Sequence, residues 1–304
     1  MEVLLDQTPR RRWDSLVQNA AFQQDWAYGE ACRTLGSRIL RFEIREAGQT
    51  IGLAQAVHRR LFGCLHAVVC TRGPVWNGAL EPQVRIDALS ACRRALPFSR
   101  LKGFFMTPDS GRQESDILKS GGFARVMTPY TTAVIDLTKS EADLRAAMHQ
   151  KWRNRLVAAE RSGLRVGRAD RHSRLYHWLL EAEHSQQRAR RYSAIPVALV
   201  PAWQQAGGDL RVLTASKDGE ILAAMLFLLH GERATYHLGW SSEDGKKLSA
   251  HNLLLWQAVL KLKAKGLRLL DLGGLNTEDI PGIARFKLGT GAKPETLCGT
   301  WFGR

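Results

Sequence analysis

Two short stretches near the C-terminus decide the fold: Asp271-Leu272-Gly273-Gly274 and Gly282-Ile283-Ala284-Arg285-Phe286-Lys287-Leu288-Gly289. The first stretch ends a run of apolar residues, 267–272, that is typical of a buried strand. Two glycines at a strand end let the backbone turn sharply or approach a ligand closely. Asp271, beside them, is either only part of that turn or part of a site. The second interpretation is open because loops at strand ends often carry functional side chains. Lys287, beside Phe286, is either an ordinary surface residue or part of a site.

The elements upstream of these stretches occur in the same order twice. Strand patterns over 210–215, 220–230 and 234–240 precede an apolar helix over 249–264 and the strand that ends at Asp271. The first half has strands over 38–46, 50–58 and 65–71, a helix over 84–95 and a strand over 101–106. Strands alternating with helical patterns favour an α/β fold. The sequence therefore predicts a duplicated α/β unit with mixed sheets flanked by helices.

Basic residues dominate the chain and cluster in its centre. The 44 lysines and arginines exceed the 29 acids, which gives a formal net charge of +15. Between Lys151 and Arg191 there are eleven basic and four acidic residues, a net charge of +7. The sequence predicts one helix that opens at Thr138–Glu141 and runs to about residue 161, and a second helix over about 173–191. Such a run is either a solvated helical face or a docking surface for phosphates.

Several classes of protein do not fit the sequence. The five cysteines form no C-x-x-C pair and no His/Cys cluster has the spacing of zinc ligands, so we expect free thiols and no metal site. No apolar run approaches the roughly 18–20 residues of a membrane helix. The N-terminus has no apolar stretch followed by a cleavage site, so we expect a cytoplasmic protein.

In their order and spacing, these motifs resemble the Fem family of aminoacyl-tRNA-dependent peptidyltransferases, which are bacterial relatives of the GNAT acetyltransferases. The resemblance rests on the two C-terminal stretches and on four further segments, Arg72-Gly73-Pro74-Val75, the basic helix from Lys151 to Leu164, the helix segment Arg188–Tyr192 and the long helix that begins at Ala250-His251-Asn252. It implies two GNAT-like acyl-N-acyltransferase domains in tandem. We expect them over residues 1–138 and 139–291, with the tail 292–304 returning to the first domain.

The resemblance also implies the chemistry, namely transfer of an amino acid from aminoacyl-tRNA to an acceptor amine with formation of an amide bond. Phe286 and Lys287 would stand at the catalytic channel, with Lys287 as the oxyanion stabiliser. The base would be Asp271, a bound water or the substrate itself. An anionic acceptor, a cell-wall precursor or a small molecule or peptide, would meet Arg188, Arg191, Tyr192, Tyr236, His237, Trp240, Gly273 and Gly274. The donor's phosphates would meet Lys151, Arg153, Arg155, Lys246, Lys247 and His251. No cofactor is implied.

Two alternatives stay open at this stage. An acyl-CoA-dependent N-acyltransferase of the same fold, acting in polysaccharide or secondary metabolism, would need a glycine-rich turn before the long helix, but that segment has only Gly245, followed by Lys246-Lys247. A non-catalytic protein that binds RNA or another polyanion through the basic helices is the second alternative.

Overall fold

The computed structural model describes residues 1–98, 102–169, 176–182, 197–276 and 281–303. The chain folds into two compact units. The first unit comprises Met1–Thr131, Pro201–Gly207 and the residues from Glu295 onward, and the second comprises Thr132–Val200 and Gly208–Pro294. The predicted boundary at residue 138 lies beyond strand β8 (Thr131–Asp136), most of which falls in the second unit.

The first unit is built on an eight-stranded mixed sheet. Its strands follow the order β1-β2-β3-β4-β6-β15-β7, with β5 beside β3, and only β4 and β6 among these neighbours are parallel. The strands are β1 (Glu2–Leu5), β2 (Arg38–Glu46), β3 (Gln49–Leu61), β4 (Leu65–Thr71), β5 (Val75–Trp76), β6 (Lys102–Thr107), β7 (Ala124–Met127) and β15 (Thr300–Gly303). The helices are α1 (Arg10–Leu16), α2 (Trp26–Thr34), α3 (Pro82–Arg94) and α4 (Arg112–Ser120), with a 3-10 turn at Phe22–Gln24.

The second unit repeats this arrangement. Its seven-stranded sheet has the order β9-β10-β11-β12-β13-β8-β14, and β12 and β13 are parallel. The other strands are β9 (Arg165–Ala169), β10 (Asp209–Lys217), β11 (Glu220–His230), β12 (Arg233–Ser241), β13 (Leu269–Gly274) and β14 (Lys293–Thr296). The helices are α5 (Glu141–Ala146), α6 (Gln150–Glu160), α7 (residues 176–182), α8 (Leu199–Gln205, across the division between the units), α9 (Glu243–Lys247), α10 (Ala250–Ala264) and α11 (Pro281–Gly289).

The two strand orders correspond position by position, which confirms the predicted tandem of α/β units. In each unit an antiparallel hairpin leads to a strand, then to a helix, then to a strand parallel to the previous one: β2–β3, β4, α3 and β6 in the first, and β10–β11, β12, α10 and β13 in the second. The strand beyond the parallel pair comes from distant sequence in both cases. It is β15 from the C-terminus in the first sheet and β8 in the second.

The second unit's core surrounds α10. Nine residues of this helix are buried, on all its sides, because it packs on the sheet and also against α6. Trp152 and Leu156 of α6 join Leu254 and Val259 of α10 in one apolar cluster. The predicted apolar helix over 249–264 is thereby confirmed. No helix among the described residues is both long and apolar enough to cross a bilayer.

The predicted single helix up to about residue 161 is wrong, because α5 and α6 are separate. Residues 147–149 leave the helical path where they meet the end of α11. The His149 amide donates to the Gly289 carbonyl at 3.0 Å. Gly291 (φ +83°) approaches so closely that a Cβ there would lie 2.7 Å from the Ala147 oxygen. The His149 ring then accepts from the Lys151 amide at 3.3 Å and caps α6.

A buried carboxylate stabilises the first unit. Glu43 on β2 is 1% exposed and accepts hydrogen bonds from Thr50 at 2.6 Å and Thr8 at 2.8 Å. Arg45 donates to it at 2.9 Å, and Arg12 lies 3.0 Å away. Burial by itself raises the pKa of Glu43, but these hydrogen bonds and charges overcome that effect and hold its pKa at about 2.

We expect Glu43→Gln to lower the free energy of unfolding at neutral pH by roughly 2–3 kcal/mol, because it removes a paired buried charge. Because the folded-state pKa is depressed, this contribution is complete above the ordinary pKa near 4.5 and is lost as the pH falls toward 2. Urea unfolding at pH 7 and at pH 3 measures both effects. Glu46→Gln, an exposed position at the end of the same strand, is the matched control. Equal stability of the two variants would contradict the assignment.

Candidate functional site

A fork between two parallel strands marks the candidate site in the second unit. Strands β12 and β13 pair only from Arg233↔Leu269 to Thr235↔Asp271. Beyond that point β12 continues to Ser241 and β13 to Gly274 without further pairing to each other. Strands that stop pairing leave space between two backbones, and in an open sheet this end of parallel strands is where ligands usually bind.

The equivalent strands of the first unit form no such fork. There β4 and β6 stay paired over six residues, from His66↔Lys102 to Thr71↔Thr107. The same strand order therefore contains a continuously paired parallel pair in the first unit and a fork between its parallel strands in the second. This difference places the candidate site in the second unit.

Asp271 shapes one arm of the fork. Its Oδ1 atom accepts from the Thr132 hydroxyl at 2.5 Å and from the Gly273 amide at 2.7 Å. Gly273 has a φ of +76°, in the left-handed region that favours glycine. The register with β8 shifts here, from Asp271↔Val134 to Gly274↔Thr132. The carboxylate thus fixes an irregular strand end, and Thr132 is a site residue that the sequence did not reveal.

Lys287 on α11 reaches the same strand end. Its Nζ atom donates to the Gly274 carbonyl at 2.8 Å, and the side chain is only 8% exposed. The pKa of Lys287 lies below its ordinary value, because burial lowers it by more than the negative charge of Asp271 raises it. The structure therefore brings Asp271, Gly273, Gly274 and Lys287 together, as the two C-terminal motifs suggested.

Phe286 takes part in an aromatic cluster beside this lysine. Its ring centroid lies 5.9 Å from that of Trp152 on α6 and 6.2 Å from that of His251 on α10. Trp152 in turn covers Gly289, where a Cβ would come within 2.6 Å of the indole. The cluster packs α11 against both helices and so fixes the position of Lys287. Trp152 was missed as a site residue because its sequence position indicates only an apolar helix face.

His251 joins the start of α10 to the end of β12. Its Nε2 atom lies 2.9 Å from the Trp240 carbonyl, and since a carbonyl only accepts, Nε2 carries the proton. Burial lowers the pKa of His251, which favours the neutral ring. A neutral imidazole with its lone pair on Nδ1 can accept a proton.

Strand β12 forms the other arm of the fork. The register jumps from Leu226↔Leu238 to Phe227↔Tyr236, so His237 is the extra residue of a β-bulge. The Tyr236 ring packs at 5.6 Å from Phe227 in the core. The Trp240 ring meets that of Trp178 on α7 edge-on at 4.6 Å, and Trp178 is 36% exposed.

The two predicted groups of phosphate-binding cations differ in their environment. On α9, Lys246 pairs with Glu243, and Lys247 pairs with Asp244 at 2.8 Å. On α6, none of the described residues forms an ion pair with Lys151, Arg153 or Arg155. The α9 turn is therefore largely neutralised, while the described residues leave Lys151, Arg153 and Arg155 of α6 without a paired acid. Arg188, Arg191 and Tyr192 lie outside the described residues.

The site can position a carbonyl group in the fork and place a buried ammonium beside it. Such an arrangement suits acyl transfer, in which negative charge develops on a carbonyl oxygen. Among the described residues, no cluster of three or more His, Cys, Asp or Glu side chains could hold a metal ion.

We expect Gly289→Ala to lower the free energy of unfolding by roughly 1–3 kcal/mol, because the new methyl group would overlap the Trp152 ring. Gly282→Ala, on the same helix α11, is the control. A Cβ there meets no atom within 4 Å, and alanine favours the helix, so its stability should stay equal or rise. Chemical denaturation measures both variants. If Gly289→Ala is as stable as Gly282→Ala, the proposed packing of Trp152 on Gly289 is wrong.

Comparisons with known proteins agree with this geometry. Residues 146–288 match the acetyltransferase (GNAT) domain family. No curated protein matches the sequence. The structure of FemX superposes with a TM-score of 0.83 at 15% identity, covering 99% of this chain and 97% of FemX.

Two further solved structures share the fold over the same extent. The C-terminal domain of a putative lysylphosphatidylglycerol synthetase from Agrobacterium fabrum has a TM-score of 0.56 at 15% identity, over 97% of this chain and 92% of that domain. A tandem GNAT protein from the clavulanic acid biosynthesis pathway has a TM-score of 0.54 at 11% identity, over 99% and 98%. At these identities the likeness establishes the fold, and the domain match over 146–288 covers the fork, α10 and α11. The protein is therefore an acyltransferase of the GNAT fold, with the tandem architecture of FemX.

Proposed function

We propose that this acyltransferase moves an amino acid from aminoacyl-tRNA to an acceptor amine and forms an amide bond, with the reaction at the fork of the second unit. The acceptor is an anionic, amine-bearing molecule such as a cell-wall precursor, a small molecule or a peptide. FemX and a putative lysylphosphatidylglycerol synthetase, named for a lipid that carries lysine, share the fold and support the class of reaction.

The observation that carries the proposal is the link between the basic surface of α6 and the fork. Lys151 and Arg153 flank Trp152, whose ring contacts Phe286 directly beside Lys287. A polyanion held along α6 would therefore lie on the helix that packs against Phe286 of α11, the helix that carries Lys287. RNA is such a polyanion, and uncompensated cations are what its phosphates require.

The segment before α10 favours a donor other than acyl-CoA. It folds as the helical turn α9, in which Ser242 caps the Gly245 amide at 3.0 Å. Gly245 is buried, and a Cβ there would lie 2.2 Å from the Leu222 oxygen. The segment is thus a closed turn with paired charges rather than an open glycine loop for a pyrophosphate.

The reaction needs no covalent enzyme intermediate, because the aminoacyl ester is already activated. The acceptor nitrogen attacks the ester carbonyl, the C–N bond forms, the C–O bond breaks, and the ribose hydroxyl leaves with a proton that the amine releases. Positioning both substrates lowers the activation free energy by up to about 7–11 kcal/mol. In this proposal the Lys287 ammonium stabilises the oxyanion, for which one donor contributes roughly 2.7–4 kcal/mol. Burial lowers the pKa of Lys287, and the charge of Asp271 opposes that effect and so favours the ammonium form.

We expect exchange of Lys151 and Arg155 for Gln to weaken tRNA binding and to flatten its salt dependence, by about 0.7–0.9 in the logarithmic slope for each phosphate that is no longer neutralised. Fluorescence anisotropy with labelled tRNA over a salt series measures this. The paired exchange of Lys246 and Lys247 for Gln is the control, because their charges are already neutralised. Sequencing of RNA that copurifies with the wild type should show enriched tRNA of one acceptor type. Equal effects of both pairs, or no tRNA binding, would remove the donor assignment.

We expect Lys287→Ala to lower turnover by about 100-fold, because the oxyanion loses its charged donor. Lys261→Ala, an exposed lysine on α10, should turn over like the wild type. Circular dichroism establishes whether each variant is folded.

The pH profile tests the protonation state of the same lysine. If the Lys287 ammonium is required, activity falls as the pH rises through its pKa. Asp271→Asn removes the charge that raises this pKa, so the alkaline limb should move to lower pH. A limb that stays in place would show that Lys287 does not act as the ammonium.

An acyl-CoA-dependent N-acyltransferase is the second candidate, and one observation favours it. Ser249, at the start of α10, makes no side-chain cap, so its hydroxyl leaves the amides of Ala250 and His251 to a phosphate, while the Asn252 amide donates to the Ser249 carbonyl at 2.9 Å. Acetyl-CoA should then raise the melting temperature and yield an acetylated amine. No thermal shift and no product with acetyl-CoA would eliminate this candidate.

A further inference from the structure

The tip of the β3–β4 hairpin exposes a large apolar side chain. Phe62 is 95% exposed, the highest value among the large hydrophobic residues that the structure describes, and the neighbouring Leu61 is 42% exposed. Both lie at the outer end of the two strands, where β3 reaches Leu61 and β4 begins at Leu65. Isolated surface apolar residues are common, but here two adjacent ones stand together at a projecting tip.

The turn itself disfavours phenylalanine. The Cys64 amide donates to the Leu61 carbonyl at 3.2 Å and closes a β-turn. Both central residues have positive φ, +49° at Phe62 and +72° at Gly63. Turns of this kind are dominated by Asn-Gly, because a side chain with a bulky Cβ is strained in the left-handed region. Phe62 adopts this unfavourable conformation and is not buried in return. The stability of the fold therefore does not explain a phenylalanine here, whereas contact with a partner outside the chain would.

Positive charge stands directly behind the apolar tip. Arg59 and Arg60 are exposed, and Arg60 donates to the Gly63 carbonyl at 2.6 Å. No acidic residue occurs between Glu46 and Glu81, so the hairpin is purely cationic. The paired strands bring further basic side chains to the same end of the sheet, with Arg38 opposite His58 and Lys102 beside His66.

The base of the hairpin is held firmly. The His58 and His66 rings lie 3.0 Å apart between ring nitrogens, and both stack on Phe98, with centroids 4.5 and 4.2 Å away. Phe98 is 9% exposed. The tip is therefore presented by a packed platform rather than by a free loop.

We propose that the hairpin tip, Leu61 and Phe62 backed by Arg59 and Arg60, docks this protein on an anionic phospholipid membrane. Phe62 and Leu61 would enter the boundary between headgroups and acyl chains, where apolar and aromatic side chains are favoured. The two arginines would stay at the level of the lipid phosphates, their aliphatic stems along the apolar layer. Leucine has no ring to stack on a base, so this pair fits a lipid boundary better than RNA. The proposal does not depend on the identity of the acyl donor or acceptor.

The test is co-sedimentation of the full chain with vesicles of equal parts phosphatidylglycerol and phosphatidylcholine, compared with phosphatidylcholine alone. Phe62→Asn is the decisive variant, because asparagine suits the turn and should leave the melting temperature equal or higher while it removes the apolar side chain. We expect it to weaken binding to the anionic vesicles about tenfold, with Phe62→Trp retaining binding. Met127→Ser, at a 64% exposed position on β7, is the matched control and should bind like the wild type.

Two further experiments measure the contribution of the arginine charges and the insertion of the tip into the membrane separately. Arg59→Gln and Arg60→Gln should each lower binding to the anionic vesicles about fivefold at low salt and have little effect with phosphatidylcholine alone. Cys64 is the one exposed cysteine of the five, so a polarity-sensitive thiol dye reports on the tip itself. Its emission should shift to shorter wavelength when anionic vesicles are added.

Four results would overturn the proposal. The wild type could fail to bind anionic vesicles, or Phe62→Asn could bind them as tightly as the wild type does. Phe62→Asn could instead lose affinity for tRNA alone, which would make the tip an RNA-binding element. It could also abolish a dimer seen by analytical ultracentrifugation without vesicles, which would make the tip an interface between copies of the chain.

Discussion

The pairing of β12 and β13 stops after three residue pairs, and the candidate site exists because the two strands diverge beyond that point. A continuous parallel ladder, such as that of β4 and β6, leaves no space between its backbones. The divergence requires β13 to leave its regular path, and Asp271 makes this possible by accepting from Thr132 and from the Gly273 amide at once. Only glycine takes the resulting left-handed conformation at position 273 without strain.

The lysine beside this fork is placed by packing rather than by its own hydrogen bond. Helix α11 is held through Phe286, whose ring meets Trp152 and His251, and through Gly289, which lies under the Trp152 ring. Lys287 is thereby buried, which disfavours its charge, yet it stays near Asp271, which favours it. The opposition of these two effects can tune the proton affinity of a group in an acyl-transfer site.

Each sheet contains one strand from a distant part of the chain, and this shapes the two units differently. Strand β15 lies between β6 and β7, while β8 lies between β13 and β14. In the first unit the parallel strands stay paired, and the cationic β3–β4 hairpin presents Phe62 at its tip above the stacked rings of His58, His66 and Phe98. A duplicated topology has thus become one unit with an open fork and one with a closed sheet and a projecting tip.

The sequence by itself determined the tandem α/β order, the apolar helix α10 and the pairing of the Asp271-Gly273-Gly274 motif with Lys287, because hydrophobic periodicity, turn residues and motif order are local properties of the chain. It did not give the break at Ala147–His149, the hydrogen bond of Thr132 to Asp271 or the cover of Trp152 over Gly289, since each joins residues more than a hundred positions apart or is forced by such an interaction. Nor could it show that Lys246 and Lys247 form ion pairs, while Lys151, Arg153 and Arg155 form none with the residues that the structure describes. Whether a charge is compensated depends on which groups come within a few ångströms of it, and only the tertiary structure decides that.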